Sequence, residues 1–127
     1  MMKYIGNADD FGLSPNVNMM IEELVNKSKV NSVSFLPNLN DFKDAMSRID
    51  GRTNVSVRCH LNLTEGRPVA CDVPLLVNKW GEFKYNVFGL YLKCIFTRNI
   101  DFYRQVKKEL KAQMDKFWGR LKRGRLL

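Results

Sequence analysis

The chain opens on a short apolar-leaning stretch, "MKYIGNA" (2–8), which reads as a strand. Ser14 then offers an N-cap and Pro15 a first helical position where the missing N–H costs nothing. The helix they open runs to about Lys27, with Val17, Met20, Ile21 and Leu24 as its apolar face. "VNSVSFLPN" (30–38) reads as a second strand ended by Pro37–Asn38. "NDFKDAMSRI" (40–49) reads as a helix with Phe42, Ala45, Met46 and Ile49 turned inward. "NVSVRCHLNL" (54–63) alternates as a third strand, with Val55, Val57, Cys59 and Leu61 on one side and Ser56, Arg58, His60 and Asn62 on the other. A Gly-Pro loop follows, then "LLVNKWGEF" (75–83) as a strand and turn, "VFGLYLKCIF" (87–96) as a short helix, and a long amphipathic helix over 101–123. The stripe of that last helix is Val106, Leu110, Met114 and Phe117.

Strand, helix, strand, helix, strand is the order of a parallel sheet with crossover helices, an α/β architecture whose chemistry collects at the carboxyl ends of the strands. At 127 residues, 45% hydrophobic and 27% charged, the chain fits one domain spanning 1–127. It is short for a closed α/β barrel, which takes about 250 residues. Cys59, Cys71 and Cys94 are odd in number and lack C-x-x-C spacing, so neither a disulfide framework nor a zinc ribbon fits. No apolar leader segment and no run of membrane-spanning length appears, so a cytoplasmic location without membrane attachment is expected.

The net charge of +8 is concentrated late: from Arg98 onward about ten basic residues face three acidic ones, whereas the remainder is nearly neutral. That is the pattern of one basic helix face, and no base-reading motif accompanies it. A nucleic-acid partner is not expected.

The candidate chemistry begins at "NADDFGLSP". Asp9 and Asp10 repel unless one is protonated or a cation sits between them. Where a strand turns into a helix, Gly12 frees the backbone so that both acids can lean toward one pocket. One carboxylate then holds a metal while its neighbour takes a proton from water, a division suited to metal-assisted hydrolysis. The plain alternative is a turn with helix N-terminal charges stabilised by the dipole. Asp10-Phe11-Gly12 matches the kinase magnesium tripeptide, but only nine residues precede it, too few for the other kinase motifs. His60, the single histidine, closes the third strand on its polar side ahead of "NLTEGRP". Cys59 beside it faces the other way, which disfavours a Cys-His nucleophile pair. Imidazole with carboxylate suits zinc and several other divalent ions.

At these residues the chain resembles the YdjC-like carbohydrate deacetylases, the family that includes chitooligosaccharide deacetylase. The matching pieces are "NADDFGLSPNVN", "VNSVSFLPN" and "CHLNLTEGRPV", followed by "VPLLVNKWGEF" and the basic helix, up to about Phe117. The resemblance implies the N-terminal half of a distorted (β/α) barrel and removal of acetyl groups from N-acetylated sugars with a divalent ion, magnesium or zinc. It implies Asp10 and His60 as metal ligands and Asp9 as the catalytic base, the two aspartate roles being interchangeable at this stage. Asn7 and Arg67 are implied to line the sugar pocket. The chain departs from the family pattern in ending at "GRLKRGRLL", without the later histidine-rich strand that supplies the family's second metal histidine. The expectation is therefore a chain truncated at the C-terminus, binding metal weakly and hydrolysing poorly, or a non-catalytic sugar-binding remnant. An open sheet edge would favour association of copies into a homo-oligomer.

Overall fold

The computed structural model describes residues 4–124. Three strands, β1 (Asn7–Phe11), β2 (Ser32–Phe35) and β3 (Ser56–Cys59), form one parallel sheet in the order β1-β2-β3. Helices α1 (Pro15–Asn26) and α2 (Phe42–Arg48) make the two crossovers. After β3 the chain runs through a long loop into α3 (Val87–Phe96) and α4 (Ile100–Gly124). Among the described residues β1 and β3 each pair on one side only, and no helix is long and apolar enough to cross a membrane. This is an α/β arrangement of the kind that forms part of a (β/α) barrel.

α1 starts where the sequence places it. Ser14 is its N-cap, accepting the Val17 N–H at 3.3 Å, and Pro15 is its first helical residue. Its buried face differs from the expected stripe. Ile21 and Val25 are buried with Asn18, whereas Met20 and Leu24 are exposed. The polar Asn18 occupies a core position because every polar group it carries is used. Its Oδ1 accepts the Gly12 N–H at 2.7 Å, and its Nδ2 donates to the Asp41 carbonyl and to Asp44 Oδ2. The expected inward face of α2 is the observed one: Phe42, Ala45, Met46 and Ile49 are all buried.

The first strand begins later than 2–8, and residues 2 and 3 of that span lie outside the described residues. Tyr4 and Gly6 are tied to the Asn31 side chain, which donates to the Tyr4 carbonyl and accepts the Gly6 N–H, so the ladder starts only at Asn7. "LLVNKWGEF" holds a single antiparallel bridge, Val77 to Phe83, in place of the expected strand. Asn78 Oδ1 takes the Trp80 and Glu82 N–H groups, which closes a tight turn before a longer ladder can form.

The core lies between one face of the sheet and helices α1, α2 and α4. Phe11 and Phe35 stack with centroids 4.8 Å apart, and Phe42 and Phe117 close on Phe35 from the helices. Val57 and Cys59 pack against this cluster, as the alternation of the third strand requires. A second cluster, Val73, Leu76, Phe83 and Phe102, holds the long loop against the start of α4. Of the expected α4 stripe Phe117 is buried and Val106 packs against the second cluster, whereas Met114 is exposed; Phe102, Glu109 and Gln113 complete the buried face.

Candidate active site

The register of β1 against β2 explains how neighbouring acids come to share one end of the sheet. Ala8 pairs with Val33 and Phe11 with Phe35, so Asp9 and Asp10 together stand opposite the single Ser34. The extra residue is a β-bulge, a device found next to active sites and rare in parallel sheets. Asp10 takes up the irregularity with a left-handed φ of 66°. Its carbonyl accepts the Leu13 N–H at 3.0 Å, and Gly12, at φ 107°, completes the turn into α1. Any Cβ at Gly12 would stand 3.1 Å from Phe42 Cα, so glycine is required both for the angle and for the approach.

The bulge keeps Phe11 in the core and frees the two carboxylates for the carboxyl end of the sheet. Parallel strands are spaced about 4.8 Å apart, so β1 and β3, with β2 between them, stand about 9.6 Å apart. Asp10 and His60 nonetheless meet over the end of β2, with Asp10 Oδ1 3.4 Å from His60 Nδ1. The His60 N–H donates to the Phe35 carbonyl at 2.7 Å, which sets the imidazole just past the last ladder position. Nδ1 is itself buried and has no hydrogen-bond partner among the described residues.

That pairing has the spacing of two ligand atoms on one ion. Nitrogen and oxygen ligands at about 2.0–2.1 Å from a tetrahedral ion are about 3.3–3.4 Å from one another. Among the described residues no group of three or more His, Cys, Asp and Glu side chains surrounds a common point. The Asp10–His60 pair is the one carboxylate–imidazole approach among the described residues.

Asp9 lies beside the pair on the exposed surface of β1 and accepts a hydrogen bond from Asn7 Nδ2 at 2.9 Å. The same Nδ2 donates to Ser34 Oγ at 3.0 Å, which uses both amide hydrogens of Asn7 and, among the described residues, leaves its Oδ1 free. Arg67 is exposed, and among the described residues its side chain makes no ion pair or hydrogen bond; its carbonyl accepts from Asn38 Nδ2 at 3.3 Å. Cys59 points into the core, where burial pushes its thiol up to about 11. It stays protonated near neutral pH, which removes it as a nucleophile.

The loop after His60 is held by side chains that periodicity alone assigns to solvent. Gln113 bonds both main-chain groups of Asn62: Oε1 accepts its N–H at 3.0 Å and Nε2 donates to its carbonyl at 2.6 Å. Nε2 also donates to Glu109 Oε1, and the Glu109 carboxylate accepts the Val69 and Ala70 N–H groups at 2.9 and 2.7 Å. Asn62 Oδ1 in turn accepts the Thr64 and Glu65 N–H groups, and its Nδ2 donates to Asn38 Oδ1. A single sequence signal marks this clamp: Glu109 and Gln113 fall four apart on the face defined by Phe102 and Phe117. A groove of about 820 Å³ lies elsewhere, lined by Met46, Ile49, Val55, Arg120 and Leu121. It opens beside the start of β3, at the end of the sheet opposite the acidic pair, and plays no part in this site.

Comparison with known proteins agrees with this placement of motifs. The family model described as YdjC-like protein matches residues 4–120. The chain is similar to the carbohydrate deacetylase of Halalkalibacterium halodurans, at 34% identity over 119 residues, covering 94% of this chain and 48% of that protein. It is similar to the carbohydrate deacetylase of Geobacillus stearothermophilus at 36% identity over 114 residues, covering 90% of this chain and 43% of that one. Among solved structures it superposes on a candidate cellobiose-phosphate cleavage protein of Enterococcus faecalis V583 with a TM-score of 0.75 and 29% identity, covering 91% of this chain and 43% of that one. The chain spans a little under half the length of the curated relatives it matches. With the bulged acidic doublet, the histidine strand and the loop behind it all inside the matched region, the chain belongs to the YdjC-like family.

Proposed function

We propose that Asp9, Asp10 and His60 are the base and two metal positions of a divalent-metal-dependent hydrolase that removes acetyl groups from N-acetylated sugars such as chitooligosaccharides. The observation that carries this reading is the 3.4 Å approach of Asp10 Oδ1 to an otherwise unpartnered, buried His60 Nδ1. The names of the relatives support the substrate class. A magnesium or zinc ion held by Asp10 and His60 would polarise the acetamide carbonyl and make its water more acidic. Asp9, whose Oδ1 is steadied by Asn7, has its second oxygen free to take that water's proton. The free carbonyl of Asn7 and the exposed guanidinium of Arg67 suit sugar hydroxyls as acceptor and donor.

A non-catalytic sugar-binding role is favoured by one observation: the described residues bring two ligands together, whereas catalytic zinc sites use three from the protein. Two measurements on the 127-residue chain separate the readings. Titration calorimetry with zinc and with magnesium should show weak 1:1 binding that falls at least tenfold in Asp10→Ala and in His60→Ala and survives in Asp9→Asn. Equal binding by wild type and both alanine variants would overturn the metal assignment. Release of acetate from N,N′-diacetylchitobiose that needs metal and disappears in Asp9→Asn supports the hydrolase; metal binding without any release supports the second reading.

A further inference from the structure

The groove beside the start of β3 has a floor and a rim of opposite character. The floor is apolar: Met46 and Ile49 at the end of α2, Val55 and Val57 at the start of β3, and Leu121 on α4. Met46 and Ile49 are buried, and the other three pack against the first core cluster while staying partly open to the groove. The rim is cationic. Arg52 stands in the connection between α2 and β3, and Arg120 and Arg123 lie three apart on α4, on one face of that helix. Asp50 is the one acid among the lining residues. Among the described residues none of the three arginines makes an ion pair, whereas the neighbouring Arg48 is held by both Glu22 and Asp44.

Floor and rim together select the occupant. Like charges three apart on a helix oppose one another, and a third guanidinium from the facing connection adds to the repulsion until an anion sits among them. Guanidinium groups take a carboxylate in a planar, bidentate pairing. The floor stays wet unless hydrocarbon covers it. At about 820 Å³ the groove falls within the range of small-molecule sites, about 300–1,000 Å³. An inorganic anion would leave the floor uncovered, a neutral hydrocarbon would leave the guanidiniums without a counter-charge, and a flat bilayer surface does not reach the bottom of a concave groove. We propose that this groove binds a single-chain amphipathic anion of the medium-chain fatty acid class, with the hydrocarbon on Val55, Val57 and Leu121 and the carboxylate on Arg52 and Arg120. A strand rises about 3.3 Å per residue, so Val55 stands roughly 16 Å along β3 from His60. The site is separate from the acidic pair and does not rest on the hydrolase reading.

Titration calorimetry of the 127-residue chain with decanoate, below its micellar concentration, tests this. Binding should be 1:1, should weaken at least tenfold when decanoate is shortened to hexanoate, and should be absent with decyltrimethylammonium. Arg52→Gln/Arg120→Gln should lose at least tenfold in affinity with an unchanged far-UV spectrum. Arg98→Gln, which neutralises an exposed arginine outside the groove, should bind as the wild type does. No binding, equal binding of the cationic amphiphile, or a double variant as tight as the wild type would overturn the proposal. So would uptake of many molecules per chain, which marks coating of the surface and not a site. Attachment to phosphatidylglycerol vesicles without binding of free decanoate would overturn it as well, since the arginines would then read a lipid surface. A wild-type dimer that Leu121→Glu dissociates and decanoate does not would do the same, making the groove a contact between copies.

Discussion

Replacing Gln113 by leucine removes the clamp on the strand end that carries His60 while nearly conserving volume. The side chain is fully buried and makes three hydrogen bonds, two of them to the main chain of Asn62 and one to Glu109. Leucine leaves the buried Asn62 N–H and carbonyl without partners, at about 1–3 kcal/mol for each unsatisfied group. It also takes one donor from a buried carboxylate. A loss of about 2–5 kcal/mol follows, a large part of the 5–15 kcal/mol that holds typical domains together. Urea unfolding followed by circular dichroism should show the midpoint falling by about 1 M or more, given slopes of about 1–3 kcal/mol/M. Gln105→Leu is the internal comparison. It forfeits a single part-buried bond, to the Leu75 N–H at 2.8 Å, and should cost about 1 kcal/mol. If both variants unfold at the same midpoint, or Gln113→Leu costs less than Gln105→Leu, the clamp is not what secures this loop.

Two further outcomes are expected. Gly12→Ala combines a φ of 107° with a Cβ 3.1 Å from Phe42 Cα, and should lose about 1–3 kcal/mol in the same unfolding assay and weaken zinc binding in parallel, because the turn that orients Asp10 is strained. The Arg48 guanidinium first, and the Asn18 amide second, hold the Asp44 carboxyl below its ordinary value. With the folded value depressed, the stability Asp44 contributes is in place above its unfolded value of about 3.9 and is lost as pH falls through the folded one. Asp44→Asn should therefore be less stable than wild type at pH 6, the gap closing as urea midpoints are followed down toward pH 2; a gap that widens on acidification would contradict the assignment.

The order of elements was legible because the period of apolar positions changes cleanly from two to about 3.6 along the first 60 residues, with Ser14–Pro15 marking the helix start. The convergence of Asp10 and His60 was suggested by motif and not by pattern. It depends on a bulge that exists only in the register of β1 against β2, which no local preference in "NADDF" announces. The stripe of α4 was read only in part, with Phe117 and Val106 correctly inward, because Glu109 and Gln113 read as solvent residues. Only the main-chain groups brought by a distant loop make them buried ones. α3 shows the converse limit: its apolar run predicts the helix, but a run without alternation carries no sign of which side meets the protein.

The clamp also has a bearing on the order in which this chain assembles. The turn at Asp10–Leu13 closes within a few residues and is stapled by Asn18, six positions from Gly12. The loop behind His60 waits for partners 51 residues away at Gln113 and about 40 away at Glu109. By that difference in sequence separation the turn at Asp10–Leu13 should form before the loop behind His60, and pulse labelling should find amide protection at Asn62, Val69 and Ala70 arriving together with α4.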